Sequence, residues 1–266
     1  MTKVLAYGIV GLLGGLHSSS WGAYKDTPHE EFKVGKFLRS IAVGLVLGLL
    51  LFQFLKLNNI YSPNPGLFFL FVMAFERLYT ESLKLFVRVE NQDKYHILQT
   101  FHWLGNVVNS RLPRLGMGVV FVALAFGWFY LPFSITLDLP QPLLGLIWGT
   151  VGGLGIAICG AWKDAPIEGF EPSKFMRSPF VGALWGLLFS AVTSDYSLLL
   201  FACIGGERMT VELYKTFIRR KHAKFSAPAP RFPEWMEKRK RFIVPYLLTW
   251  ALFFVLLVRF RPEYPF

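Results

Sequence analysis

Eight stretches of this chain are apolar for close to the length that spans a bilayer, and that removes most folds at once. They run over about 4–22, 40–57, 66–88, 115–134, 143–161, 179–194, 197–219 and 242–259. A helix needs ~20 mainly apolar residues to cross ~30 Å of hydrocarbon. No water reaches a backbone amide there, so a spanning segment must satisfy its own hydrogen bonds, as a helix does. The expected fold class is an all-α polytopic membrane protein with about eight transmembrane helices. The sixth stretch is short and sits close to the seventh, so one of the two is expected to tilt or break. Only 17% of the residues are charged, against about 25% in a typical soluble domain. The first stretch has the outline of a secretory signal. Its pattern recurs deep in the chain, at 145–161, so it is read as a retained span.

The recurrence is a duplication. Residues 11–50 repeat 138 positions on without a gap, and twenty of the forty are identical. The shared pattern is G-A-x-K-D-x-P-x-E-x-F-x-x-x-K-F-x-R-S. A second block, Glu76–Arg88, recurs 131 positions on as Glu207–Arg219. Identical residues at this density mark a repeat architecture. The halves 1–138 and 139–266 are expected to be two tandem four-helix repeats. An even number of spans per half gives both copies one orientation, with a pseudo-two-fold axis along the membrane normal.

Net charge is +11. Lys and Arg concentrate in 23–39, 84–115, 161–178 and 215–241, which hold 22 of the 28. With eight spans all four stretches face one side. The positive-inside rule makes that side cytosolic and puts both termini opposite, in a plasma or inner membrane. The same charge suits anionic lipid headgroups, so membrane lipids are the expected contact and nucleic acid is not.

Small residues mark the close helix contacts. Gly44 and Gly48 stand four apart in the second span, and Gly182 and Gly186 repeat them. In lipid such spacing lets helix backbones approach. These four are expected to be packing residues, although glycines lining a path or a sliding helix would look the same.

Two charged constellations are candidates for function. The loop motif comprises Lys25, Asp26, Pro28 and Glu30, repeated as Lys163, Asp164, Pro166 and Glu168. Proline disfavours helix for the residue before it, so the chain is expected to break there. Pro28 would then open a new helix, with Asp26 as its cap. Alternatively the four carboxylates form a cation mouth, since carboxylates suit hard cations. The spacing matches no metal motif, and the neighbouring lysines compete for the carboxylates.

The second constellation is Glu76-Arg77, repeated as Glu207-Arg208. Glu76 lies about ten residues into its span, or ~15 Å deep. Ionisable groups at that depth are costly and mark a functional site or a buried pair. Arg77 with Glu81, and Arg208 with Glu212, are spaced to meet on one face. Glu76 and Glu207 need partners from another helix, with Lys25, Arg39 and their copies as candidates.

The histidines, His17, His29, His96, His102 and His222, have no counterparts across the repeat. A metal or pigment site built on the symmetry is therefore not expected. His96 and His102 are read on an interfacial helix, six apart, which does not align them on one face. Cys159 and Cys203 are read as small buried hydrophobes. No phosphate-binding, dinucleotide, zinc-protease or serine-hydrolase signature occurs. No catalytic residue, metal or cofactor is assigned.

Three functions fit. The first is a transporter or channel for an ion or small solute, using Glu76, Arg77, Glu207 and Arg208. The second is a structural or accessory subunit, its partners being other membrane subunits or further copies of the chain. The third is a membrane-embedded enzyme acting on lipid headgroups through the Asp/Glu loops.

Overall fold

The computed structural model describes residues 3–93, 95–219 and 229–259. His222, Arg261 and part of the basic stretch 215–241 lie outside them. Helices α1 (Lys3–Glu30), α2 (Val34–Leu57) and α3 (Pro65–Ser82) come first, and α3 runs into a π-helical turn, Leu83–Val87. A hairpin of β1 (His102–Trp103) and β2 (Asn106–Val107) precedes α4 (Arg111–Ser134). Then come α5 (Gln141–Glu168), α6 (Pro172–Ser190) and α7 (Tyr196–Leu213), with a second π-helical turn at Tyr214–Ile218. A short α8 (Trp235–Lys238) leads through a 3-10 turn into α9 (Ile243–Arg259). Among the described residues the fold is all-α apart from the four-residue ladder.

Among the described residues four segments are long and apolar enough to cross a bilayer: α2, α4, α5 and the run Trp235–Arg259. They suggest a membrane protein, and the outer surface agrees. Leu112 and Val119 on α4 are 81% and 71% exposed, and Val244 on α9 is 71% exposed. Apolar surface of this extent needs lipid or a partner over it. Helices α3 and α7 are the opposite case. Gly66–Glu76 and Ser197–Cys203 are buried without a break, so these segments have no outward face.

The described chain forms two compact units. The first comprises parts of 1–76, 211–220 and 229–266, the second parts of 77–210 and 221–228. Compactness therefore divides the chain differently from its sequence halves. The first unit holds α1, α2, most of α3, α8 and α9, with the end of α7 and its π-turn. The second holds α4, α5, α6 and most of α7, with the end of α3 and its π-turn.

In the first unit α1 and α2 touch backbone to backbone. A Cβ on Gly44 would overlap the Gly11 carbonyl oxygen, and one on Gly48 would lie 2.7 Å from that of Tyr7. The α3 start is capped by Asn64, whose Oδ1 accepts from the amides of Gly66 (2.8 Å) and Leu67 (3.1 Å). Asn64 Nδ2 also donates to the Leu257 carbonyl on α9 at 3.1 Å. In the second unit α5 and α6 make the same close contact, with Gly182 on the Gly149 carbonyl and Gly186 on that of Gly145. Phe129 of α4 packs on Phe201 of α7, with ring centroids 6.0 Å apart.

Three local expectations need correction. Pro28 and Pro166 do not break the helices, which continue to Glu30 and Glu168. A proline in the last turn forfeits one backbone bond, and the reversal comes later, at Glu31 (φ 56) and Gly169 (φ 81). Asp26 thus lies inside α1, not at a cap. The stretch with His96 and His102 is not an interfacial helix. It is irregular and closes in a hairpin, because Leu104 (φ 48) and Gly105 (φ 87) form a tight left-handed turn, which suits the strand twist. The sixth apolar stretch belongs to a full helix, α6, that starts earlier, at Pro172.

Candidate functional site

Glu76 sits on the fully buried stretch of α3 and is 1% exposed. Its Oε2 accepts a hydrogen bond from Ser18 Oγ at 3.1 Å. Glu207, on α7, is also 1% exposed. Its Oε1 accepts from Ser178 Oγ at 2.6 Å, and its Oε2 lies 3.9 Å from Arg77 Nη1. Arg208 is buried at 6% exposure. Each glutamate therefore takes its partner from another helix, as expected, but through serine hydroxyls. A hydroxyl stabilises a carboxylate without neutralising it, and Glu207 also faces the Arg77 guanidinium.

Arg77 reaches Glu207 across helices, while Glu81 is held by Lys84 Nζ at 2.9 Å and by Lys163 Nζ at 3.4 Å. The loop-motif lysine Lys163 thus pairs with the end of α3. The other motif residues form clamps across the α1–α2 and α5–α6 turns. Lys36 pairs with Glu30. Lys174 bonds Asp164 at 2.9 Å and Glu168 at 2.8 Å. Burial would lower the basicity of Lys174, but hydrogen bonds and charge from Glu168 and Asp164 prevail and raise it. Lys25 lies 3.5 Å from Asp26. The Pro28 carbonyl accepts from the Phe232 amide at 2.8 Å, tying the turn to the segment before α8. These ammonium partners occupy the carboxylates that a cation mouth would need. Among the described residues no three His, Cys, Asp or Glu side chains converge as a metal-binding group.

A cavity of about 220 Å³ opens in the second unit beside Pro132, Leu144, Trp148 and Tyr196. Its lining contains none of the charged residues above.

Family models, curated proteins and solved structures yield no match to this chain.

One group was missed by the sequence reading. His17 on α1 is fully buried, and its Nδ1 lies 2.8 Å from Thr249 Oγ1 on α9. Its Nε2 lies 3.7 Å from Glu212 Oε2 at the end of α7. Tyr246 stacks obliquely on the ring at 4.7 Å, and Phe69 and Trp250 stand edge-on at 6.2 and 6.3 Å. Repeat symmetry hid this group, because position 155 in the second copy is glycine. The available signal was a lone histidine within an apolar span, the placement that intramembrane chemistry makes costly.

Proposed function

We propose that this chain is an integral membrane transporter or channel for an ion or small solute. Glu76 and Glu207, with Arg77 and Arg208 beside them in sequence, would be its working groups. The observation that carries this reading is the pair of deeply buried carboxylates, 131 residues apart, each held by a serine hydroxyl.

The reading includes eight spans in two tandem repeats of one orientation, with basic loops cytosolic and both termini opposite. Matching boundaries support the duplication. α1 and α5 end 138 apart, and α2 and α6 begin 138 apart. α3 and α7, with their π-turns, coincide at both ends after a shift of 131. π-turns recur at functional sites in helices.

The test is flux of protons, alkali cations and common anions into proteoliposomes. Glu76→Gln and Glu207→Gln should each lower flux about tenfold or more, the scale of a lost charged hydrogen bond. Unchanged flux in both variants would refute the assignment.

A second reading is a subunit of a larger membrane complex. It is favoured by the breadth of exposed apolar surface on α4, from Leu112 to Phe133. Extraction from native membranes in a mild detergent separates the two. A defined, stoichiometric partner supports the subunit, and a lone chain with flux supports the transporter.

A further inference from the structure

The contacts around His17 determine where its hydrogens lie. Thr249 Oγ1 donates to the Tyr246 carbonyl at 2.7 Å. A hydroxyl has one hydrogen to give, so toward His17 Nδ1, at 2.8 Å, this oxygen accepts. Nδ1 therefore carries a hydrogen. In a neutral ring Nε2 then presents a lone pair, and it does so 3.7 Å from Glu212 Oε2. An ionised carboxylate presents lone pairs too. The two residues are 0% and 7% exposed, so little solvent screens that repulsion. One added proton turns it into attraction, either as imidazolium with carboxylate or as imidazole with carboxylic acid.

We propose that His17 and Glu212 share a single proton, and that this pair is a proton-binding site of the chain. Its surroundings are consistent with a site that holds a proton out of water. Tyr246 and Trp250 of α9 and Phe69 of α3 close around the ring. The charged groups nearest along the same elements are Glu207 and the buried Arg208, five and four residues before Glu212 on α7, Lys215, three residues beyond it, Lys25 on α1 and Glu76 on α3. Glu76 is held by Ser18, the residue after His17. Position 155, the counterpart of His17 in the second unit, is glycine. At Gly155 the Trp128 indole fills the space, 3.5 Å from where a Cβ would lie. The structure thus assigns this site, with its one proton, to the first unit. If the chain transports, this proton is the coupling ion. That clause rests on the transport reading, and the proton count does not.

The test uses the full chain in lipid nanodiscs. Nitrogen NMR of 15N-histidine-labelled protein reports the His17 ring, assigned by His17→Gln. The infrared carboxyl band of Glu212 is assigned by Glu212→Gln. Near neutral pH the expected result is a doubly protonated ring beside a carboxylate, or a ring protonated at Nδ1 beside a carboxylic acid. On raising the pH the pair should lose one proton in a single step. A neutral ring beside an ionised carboxylate at neutral pH overturns the proposal. Thr249→Val keeps the side-chain shape and removes the acceptor. After deprotonation that variant should show hydrogen on Nε2 in part of the population, and an unchanged tautomer also overturns it. Neither readout needs a transported substrate, so an inactive chain would sink the transport reading and leave the proton count measurable.

Discussion

His102 is fully buried in the hairpin, its ring stacked on Trp162 at 5.1 Å and 4°. Burial depresses its basicity below the usual imidazole range, and the positive charge of Lys163 adds to this. A backbone bond to Lys163 and the charge of Asp164 act the other way without prevailing. Nδ1 also accepts from the Gly105 amide at 3.3 Å, a bond that protonation there would remove. The folded value lies below the unfolded one, so the unfolded chain takes up the proton first as pH falls. Hairpin stability should be full above the ordinary histidine value, ~6.5, and be lost as pH drops from there through the folded value. Hydrogen exchange of amides 102–107, corrected for intrinsic rate, should show this loss of protection, and His102→Phe should flatten it. At this scale the sequence was partly legible. The depth of Glu76 and Glu207 follows from counting along a span. Their serine partners depend on helix rotation, which a hydropathy pattern does not encode. His17 was passed over because a repeat directs attention to residues that occur twice.

The paired helices α1–α2 and α5–α6 depend on the absence of side chains. Gly182 and Gly186 place α6 backbone directly on the α5 carbonyls of Gly149 and Gly145. Gly182→Ala puts a methyl group into backbone that cannot move aside as a flexible side chain would. Overpacking of this kind costs about 1–3 kcal/mol. Gly160→Ala has open space around it and should be neutral or slightly stabilising through helix propensity. Thermal unfolding of the two variants in detergent should separate them, and equal midpoints would argue against backbone contact at Gly182. These glycines were legible as close-packing positions because G-x-x-x-G recurs in both copies. Helix ends were less so. Proline suggested a break at 28 and 166, yet the turn needed a left-handed residue, and those stand at Glu31 and Gly169.

Across the described residues four segments are long and apolar enough to cross a membrane, and the eight-span reading proposed above makes a further prediction. Single cysteines in a Cys159→Ala, Cys203→Ala background distinguish the possibilities. With eight spans, cysteines at Asn59 and Leu137 should react with an impermeant thiol reagent from one side of the membrane. Those at Lys33 and Phe170 should react only from the other. Labelling of all four from one side would remove the eight-span topology. The assortment of helices into units was not legible at all. A shift of 138 or 131 tells which segments are alike, whereas packing decides which of them touch.

That assortment has a consequence for how the protein is made. α9 is translated after α1 to α8, yet it belongs to the same unit as α1. Chain synthesis proceeds at ~5–20 residues per second. Until α9 emerges, α1 and the Asn64 cap lack the neighbour that Thr249 and Leu257 provide. The first unit must therefore wait, incomplete, in the company of whatever insertion machinery shelters it. A gene split between α4 and α5 should yield two fragments that are unstable alone and recover on co-expression.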